Sequence, residues 1–207
     1  MNKFKKWISN YWYHYKFRTI LCLFFAVIIG VTVFEFATKE HYDMEVYLYM
    51  SQSVSSDVEN ALEETVEKYF EENGETKNVR VVNMSYDPYS ENGEAKMAHA
   101  SQLSAEIRMG KNYIMITDEY RFEEMNNSDF FQNVFEKNDA FDSYDNKAFK
   151  INGKDFEARF TNALEKNNVT VSKMPKLYLS VLKAPEKSNK NYENYKLALE
   201  LVDYITK

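Results

Sequence analysis

Sixteen consecutive residues without a charge, Thr19 to Phe34 (TILCLFFAVIIGVTVF), restrict this chain more than any other feature. As a helix the run covers about 24 Å, and with Glu35, Phe36 and Ala37 about 28 Å, close to the roughly 30 Å hydrocarbon core of a bilayer. Its leading flank, WYHYKFR, supplies Trp12, Tyr13 and Tyr15 for an interfacial aromatic belt, with Lys16 and Arg18 able to snorkel. A cleaved signal peptide would need small residues after the apolar run, and FEFATKE offers only Ala37, with Glu35 two places before it. A lipoprotein signal would place its cysteine after the run, whereas Cys22 lies near the start. Residues 19–37 are therefore expected to form an uncleaved transmembrane helix rather than a buried core helix.

Charge gives the helix a direction. Residues 1–18 hold five bases and no acid, and the rest of the chain holds 21 bases against 32 acids, a net of −11. The positive-inside rule puts the basic tail in the cytoplasm and the larger part outside, giving a single-pass protein of the cell membrane with an extracytoplasmic C-terminal domain. Phosphate contacts need clustered Lys and Arg, and no cluster follows residue 38, so nucleic acid is excluded as a partner. The single cysteine is Cys22, so the outer part can form neither a disulfide nor a thiolate metal site.

After a tether at 38–43, the pattern in 44–207 changes to that of an α/β domain. Met44–Met50 is a strand-length apolar and aromatic run. A helical stripe follows in Val58, Leu62, Val66 and Tyr69/Phe70, opened by a capping box of Ser56 with Glu59 and closed by Gly74. Val79–Asp87 reads as a strand. EAKMAHASQLSAEIRMG reads as a helix lined by Met97, Ala100, Leu103 and Ile107, and Tyr113–Thr117 as a buried strand. This β-α-β-α-β order implies a mostly parallel open sheet with helices on both faces. Beyond it, SDFFQNVF reads as a short helix and FDSYDNKAFKING as irregular and extended chain. DFEARFTNALEKN carries a stripe of Phe156, Phe160 and Leu164, KLYLSVLKA is a further strand, and NYENYKLALELVDYIT closes the domain as a helix.

Catalytic signatures are lacking. His41 and His99 have no second histidine at helical spacing, and the sequence contains no GxSxG, P-loop or GxGxxG, so neither an enzyme nor a metal or other cofactor is expected. Glu63-Glu64, Glu71-Glu72 and Glu123-Glu124 read as solvated faces. The candidate site is the rim at the carboxyl ends of the strands, where open α/β sheets bind ligands. Gln52 and Ser53 follow the first strand there, Ser85 and Asp87 end the second, and Asp118 and Glu119 follow the third.

The segments VYLYMSQSVSSDVENALEETVEKYFEENG, VRVVNMSYDP and MAHASQLSAEIRMGKNYIMITDE resemble the first lobe of type 2 extracellular solute-binding proteins, and especially small membrane-anchored proteins of this kind in Gram-positive bacteria. The resemblance covers Met44 to about Glu119 and, more loosely, Lys176 onward. It implies a periplasmic-binding-protein-like lobe, a small solute as ligand, an ABC permease or other membrane protein as partner, and contacts at Gln52, Ser53, Ser85, Asp87, Asp118 and Glu119. Only some fifty residues separate Met125 from Lys176, too few for a second α/β lobe, so a single lobe is expected. The alternative is an interaction module without a ligand that docks a membrane or cell-envelope partner.

Overall fold

The computed structural model describes residues 3–38, 42–89, 93–110, 112–127, 130–133, 143–144, 146–167, 169, 174–186 and 191–206. The chain divides into two compact units, Met1–His41 and Tyr42–Lys207.

The first unit is one helix, α1 (Lys3–Thr38). It begins well before the apolar run because its aromatic flank is spaced for a helix. Trp7, Tyr11 and Tyr15 fall four residues apart and stack at ring separations of 5.8 and 5.3 Å. Within α1, the 24 residues Tyr11–Phe34 are long and apolar enough to cross a membrane.

The second unit is an α/β domain built on β1 (Met44–Tyr49), α2 (Ser56–Glu72), β2 (Val79–Asn83), α3 (Gly93–Met109), β3 (Ile114–Asp118), α4 (Glu119–Asn126), β4 (Ser143–Tyr144), β5 (Ala148–Lys150), α5 (Asp155–Lys166), β6 (Leu177–Val181) and α6 (Tyr192–Thr206). Every buried side chain among the described residues lies between Met44 and Ile205, so this unit has a complete core of its own. The sheet runs β2-β1-β3-β6-β5-β4. Pairing is parallel among β2, β1 and β3 and antiparallel from β3 through β6 and β5 to β4, so the sheet is mixed rather than mostly parallel. The short strands β4 and β5 form a hairpin with Asn146 at φ 59°, and β6 pairs antiparallel with β5 although α5 lies between them.

Alternation along the strands sends Val46, Leu48, Ile114 and Ile116 to one face and Tyr47, Tyr49, Met115 and Thr117 to the other. Helices α2, α5 and α6 cover the first face. The α2 stripe ends in a Schellman turn, where Gly74 at φ 83° donates to Glu71 O at 3.0 Å and Glu75 donates to Phe70 O at 2.9 Å. On the outer edge of the sheet, Glu63 and Glu67 of α2 accept the N–H groups of Val81 and Val79 at 2.7 and 3.0 Å, and Glu59 accepts from Asn83 Nδ2 at 2.7 Å. This carboxylate row satisfies the free donors of an edge strand. Glu63 is thus no solvated residue, and burial raises its carboxyl pKa. Nor does Glu59 form a capping box with Ser56. The N-cap position is Ser55, whose hydroxyl makes no capping bond.

Helices α3 and α4 lie on the second face. Among the described residues of α3 none is buried: Lys96, His99, Leu103, Glu106 and Ile107 are half-buried, while Met97 and Ala100 are exposed. Of the four expected stripe residues, Leu103 and Ile107 pack against the core, while His99 and Glu106 face the polar and aromatic sheet where Met97 and Ala100 were expected. SDFFQNVF, expected to form a short helix, is not helical in its described residues, 130–133, and the helix after β3 is α4. Within the described part of that segment, Phe131 is extended and bridges to Leu182.

Candidate functional site

At the carboxyl ends of β1 and β3 the chain turns outward, and the loop Met50–Ser55 spans from β1 to α2. A cavity of about 530 Å³ opens beneath it. Its floor is aliphatic: Leu48, Leu62, Ile116, Leu164 and Leu177, each almost wholly withdrawn from solvent. Phe160 of α5 and Val58 of α2 form its sides, and Met50, Val54, Tyr120, Met174 and Pro175 add to the lining. Polar groups gather at the mouth, where Gln52, Ser53, Ser55, Glu119 and Lys176 lie exposed.

Four of the six residues expected at the site line this cavity: Gln52, Ser53, Asp118 and Glu119. Their circumstances differ. Asp118 is buried and fully engaged as the N-cap of α4. Its Oδ1 accepts from the Arg121 N–H at 2.9 Å, and its Oδ2 accepts from the Ser51 N–H at 2.7 Å and from the Ser51 hydroxyl. It anchors the β1–α2 loop and offers a ligand little. Glu119 accepts from Lys176 Nζ at 2.7 Å across the mouth, which holds the lysine pKa above its usual value.

Ser85 and Asp87 lie outside the cavity. The Ser85 hydroxyl accepts from Met50 N at 3.0 Å and donates to Leu48 O at 3.3 Å, prolonging the β1–β2 pairing past Asn83. Asp87 is exposed and accepts from the Tyr89 N–H at 2.8 Å in a turn. Both carry structural bonds that explain polar residues at a strand end.

The walls given by α5 and by 174–177 were not foreseen, since only the tertiary fold brings Phe160, Leu164, Met174 and Lys176 to the rim. Arg121, on the opposite face, was also missed. Its guanidinium is buried between the rings of Tyr86 and Tyr49, 4.0 and 4.5 Å from their centroids. It donates to Glu124 Oε2 at 2.7 Å and to Tyr86 O at 2.8 Å. Burial works to lower its pKa, but the Glu124 bond and the neighbouring phenols hold it above the usual arginine value. Burial raises the Tyr49 phenol well above its ordinary range, so this ring stays neutral beneath the cation. His99 of α3 stacks on the far side of Tyr86 at 4.8 Å, extending the column to four groups.

No group of three or more His, Cys, Asp or Glu side chains able to hold a metal ion occurs among the described residues. The cavity combines an aliphatic interior with neutral and paired polar groups at its mouth. No protein-family model, curated protein or solved structure matches the chain.

Proposed function

We propose that this chain is a membrane-anchored ligand-binding domain, held by α1 with its basic N-terminal tail in the cytoplasm and residues 42–207 outside the cell. The reading is supported by one observation above others: a cavity of about 530 Å³ at the carboxyl ends of β1 and β3. That size lies within the roughly 300–1,000 Å³ of small-molecule sites, and the position is where open α/β sheets take their ligands. Gln52 and Ser53 at the mouth are free of capping duty and available to a ligand. Such a domain acts as a solute-binding component, and an ABC permease is the partner this reading names. Purified residues 42–207, screened by thermal shift against sugars, amino acids, peptides, anions and apolar solutes, should show a raised Tm with a binder, because a ligand of the native state stabilises it by mass action. A flat response across all five classes, repeated by calorimetry, would sink the proposal.

A second reading, a module that docks another envelope protein, draws on the outer surface of the second face. Tyr89 and Met97 are 78% and 74% exposed there. Crosslinking in native membranes should then trap one stoichiometric partner whatever solute is present.

A further inference from the structure

Resting on the reading that the rim cavity is the binding site, we infer that its ligand is an unbranched alkyl chain, the tail of a single-chain amphiphile or of a membrane lipid. The floor offers nothing to a polar solute. Leu48, Leu62, Ile116, Leu164 and Leu177 present only methyl and methylene groups. Of the charged residues in the lining, Asp118 has both oxygens occupied by Ser51 and Arg121, and Glu119 and Lys176 are engaged with each other at the mouth. A sugar or amino acid pushed onto this floor would lose its water and regain no hydrogen bonds, a loss that polar groups do not tolerate.

The lining also favours a flexible chain over a flat ring. Its aromatic members, Phe160 and Tyr120, pack against Phe156 and Tyr89, whereas Met50 and Met174 are adaptable thioethers suited to an irregular chain. The exposed Gln52, Ser53 and Ser55 and the Glu119–Lys176 pair leave the polar end of an amphiphile in contact with water and with hydrogen-bonding groups.

Calorimetry on residues 42–207 with n-alkanoates and n-alkanols from hexyl to dodecyl tests the inference. Burying a methylene is worth about 0.8 kcal/mol, so affinity should climb roughly fourfold per added carbon until the cavity is full, then level off. Val58→Phe, a half-buried wall position, should abolish the climb while leaving the far-ultraviolet spectrum and a cooperative melt intact. Val58→Ala, which opens the same wall, should extend the series to longer chains. Affinity indifferent to chain length, or unchanged in a folded Val58→Phe, overturns the inference. Binding of hydrophilic solutes with none of alkyl ligands overturns it while sparing the binding function; binding of neither overturns both. A second arm separates the sources of the chain. The full protein in phosphatidylglycerol vesicles carrying a diazirine on the acyl chain should label Leu62 or Phe160 if membrane lipid is the ligand. If only added free amphiphile labels these residues, the source is soluble.

Discussion

The two faces of the central sheet are closed by different physics. The face of Val46, Leu48, Ile114 and Ile116 is packed by aliphatic and aromatic stripes from α2, α5 and α6, with Phe156 stacked on Tyr69 at 6.0 Å. On the opposite face, Tyr49 and Tyr86 clasp a guanidinium, Phe122 stacks on Tyr178 at 5.3 Å, and Thr117 and Ser180 are buried polar residues. The first face is held by non-directional burial, which tolerates repacking and leaves room for the rim cavity. The second is held by directional contacts, in which one residue, Arg121, joins β1, the segment after β2, and α4.

Single substitutions can break this contrast. Phe156→Ala should cost the most, about 3–5 kcal/mol, as a large ring removed from a closed core; denaturant melts of residues 42–207 would measure it. Arg121→Ala should follow at about 3 kcal/mol, from the loss of two cation–π contacts and the void left behind. Arg121→Lys should recover less than half, because an ammonium cannot lie flat between two rings. If Lys rescued fully, charge alone would hold the second face and the contrast would fail. Asp118→Ala should cost about 2 kcal/mol through the lost cap and the freed Ser51 donors, and should also loosen the loop over the cavity.

The smallest effect concerns two adjacent acids of α2. Burial raises the Glu63 pKa, whereas hydrogen bonds from Lys166 and then Lys68 lower that of Glu64. Carboxyl-carbon NMR should therefore find Glu63 titrating at the higher pH. For Glu63 the folded state holds its proton more tightly than the unfolded chain, so its contribution improves as pH falls from the raised value toward the ordinary one. The contribution of Glu64 is present above the ordinary glutamate value and is lost as pH falls through its lowered one. Lys166→Ala should weaken the second dependence by less than about 1 kcal/mol, as for other surface pairs.

Legibility in the sequence followed the same division. The first three strands, α2, α5 and α6 were readable because burial against an apolar surface imposes a period that apolar residues display. Phe156, Phe160 and Leu164 are buried as their spacing requires. In α6, Tyr195, Ala198, Leu201, Val202 and Ile205 take the core. On the second face periodicity failed. Half of the α3 stripe, Met97 and Ala100, lies exposed there, and Arg121, as a charged residue among charged residues, gave no sign of being buried. The antiparallel return of β6 was equally hidden, because a fully buried strand reads alike in both directions. At the rim, the polar residues nearest the strand ends were readable and the aliphatic floor was not. Ser85 and Asp87 were drawn in by position alone and proved to serve the backbone.

The poor anchorage of α3 has a dynamic consequence. A helix whose described residues are at most half-buried loses little by leaving the sheet, so its opening should be decoupled from global unfolding. Its amides should exchange with solvent long before those of α2, and a protease should cut between Gly93 and Met109 while the remaining core stays native. α3 would then behave as a hinged cover over the second face, with the His99–Tyr86 stack as its latch.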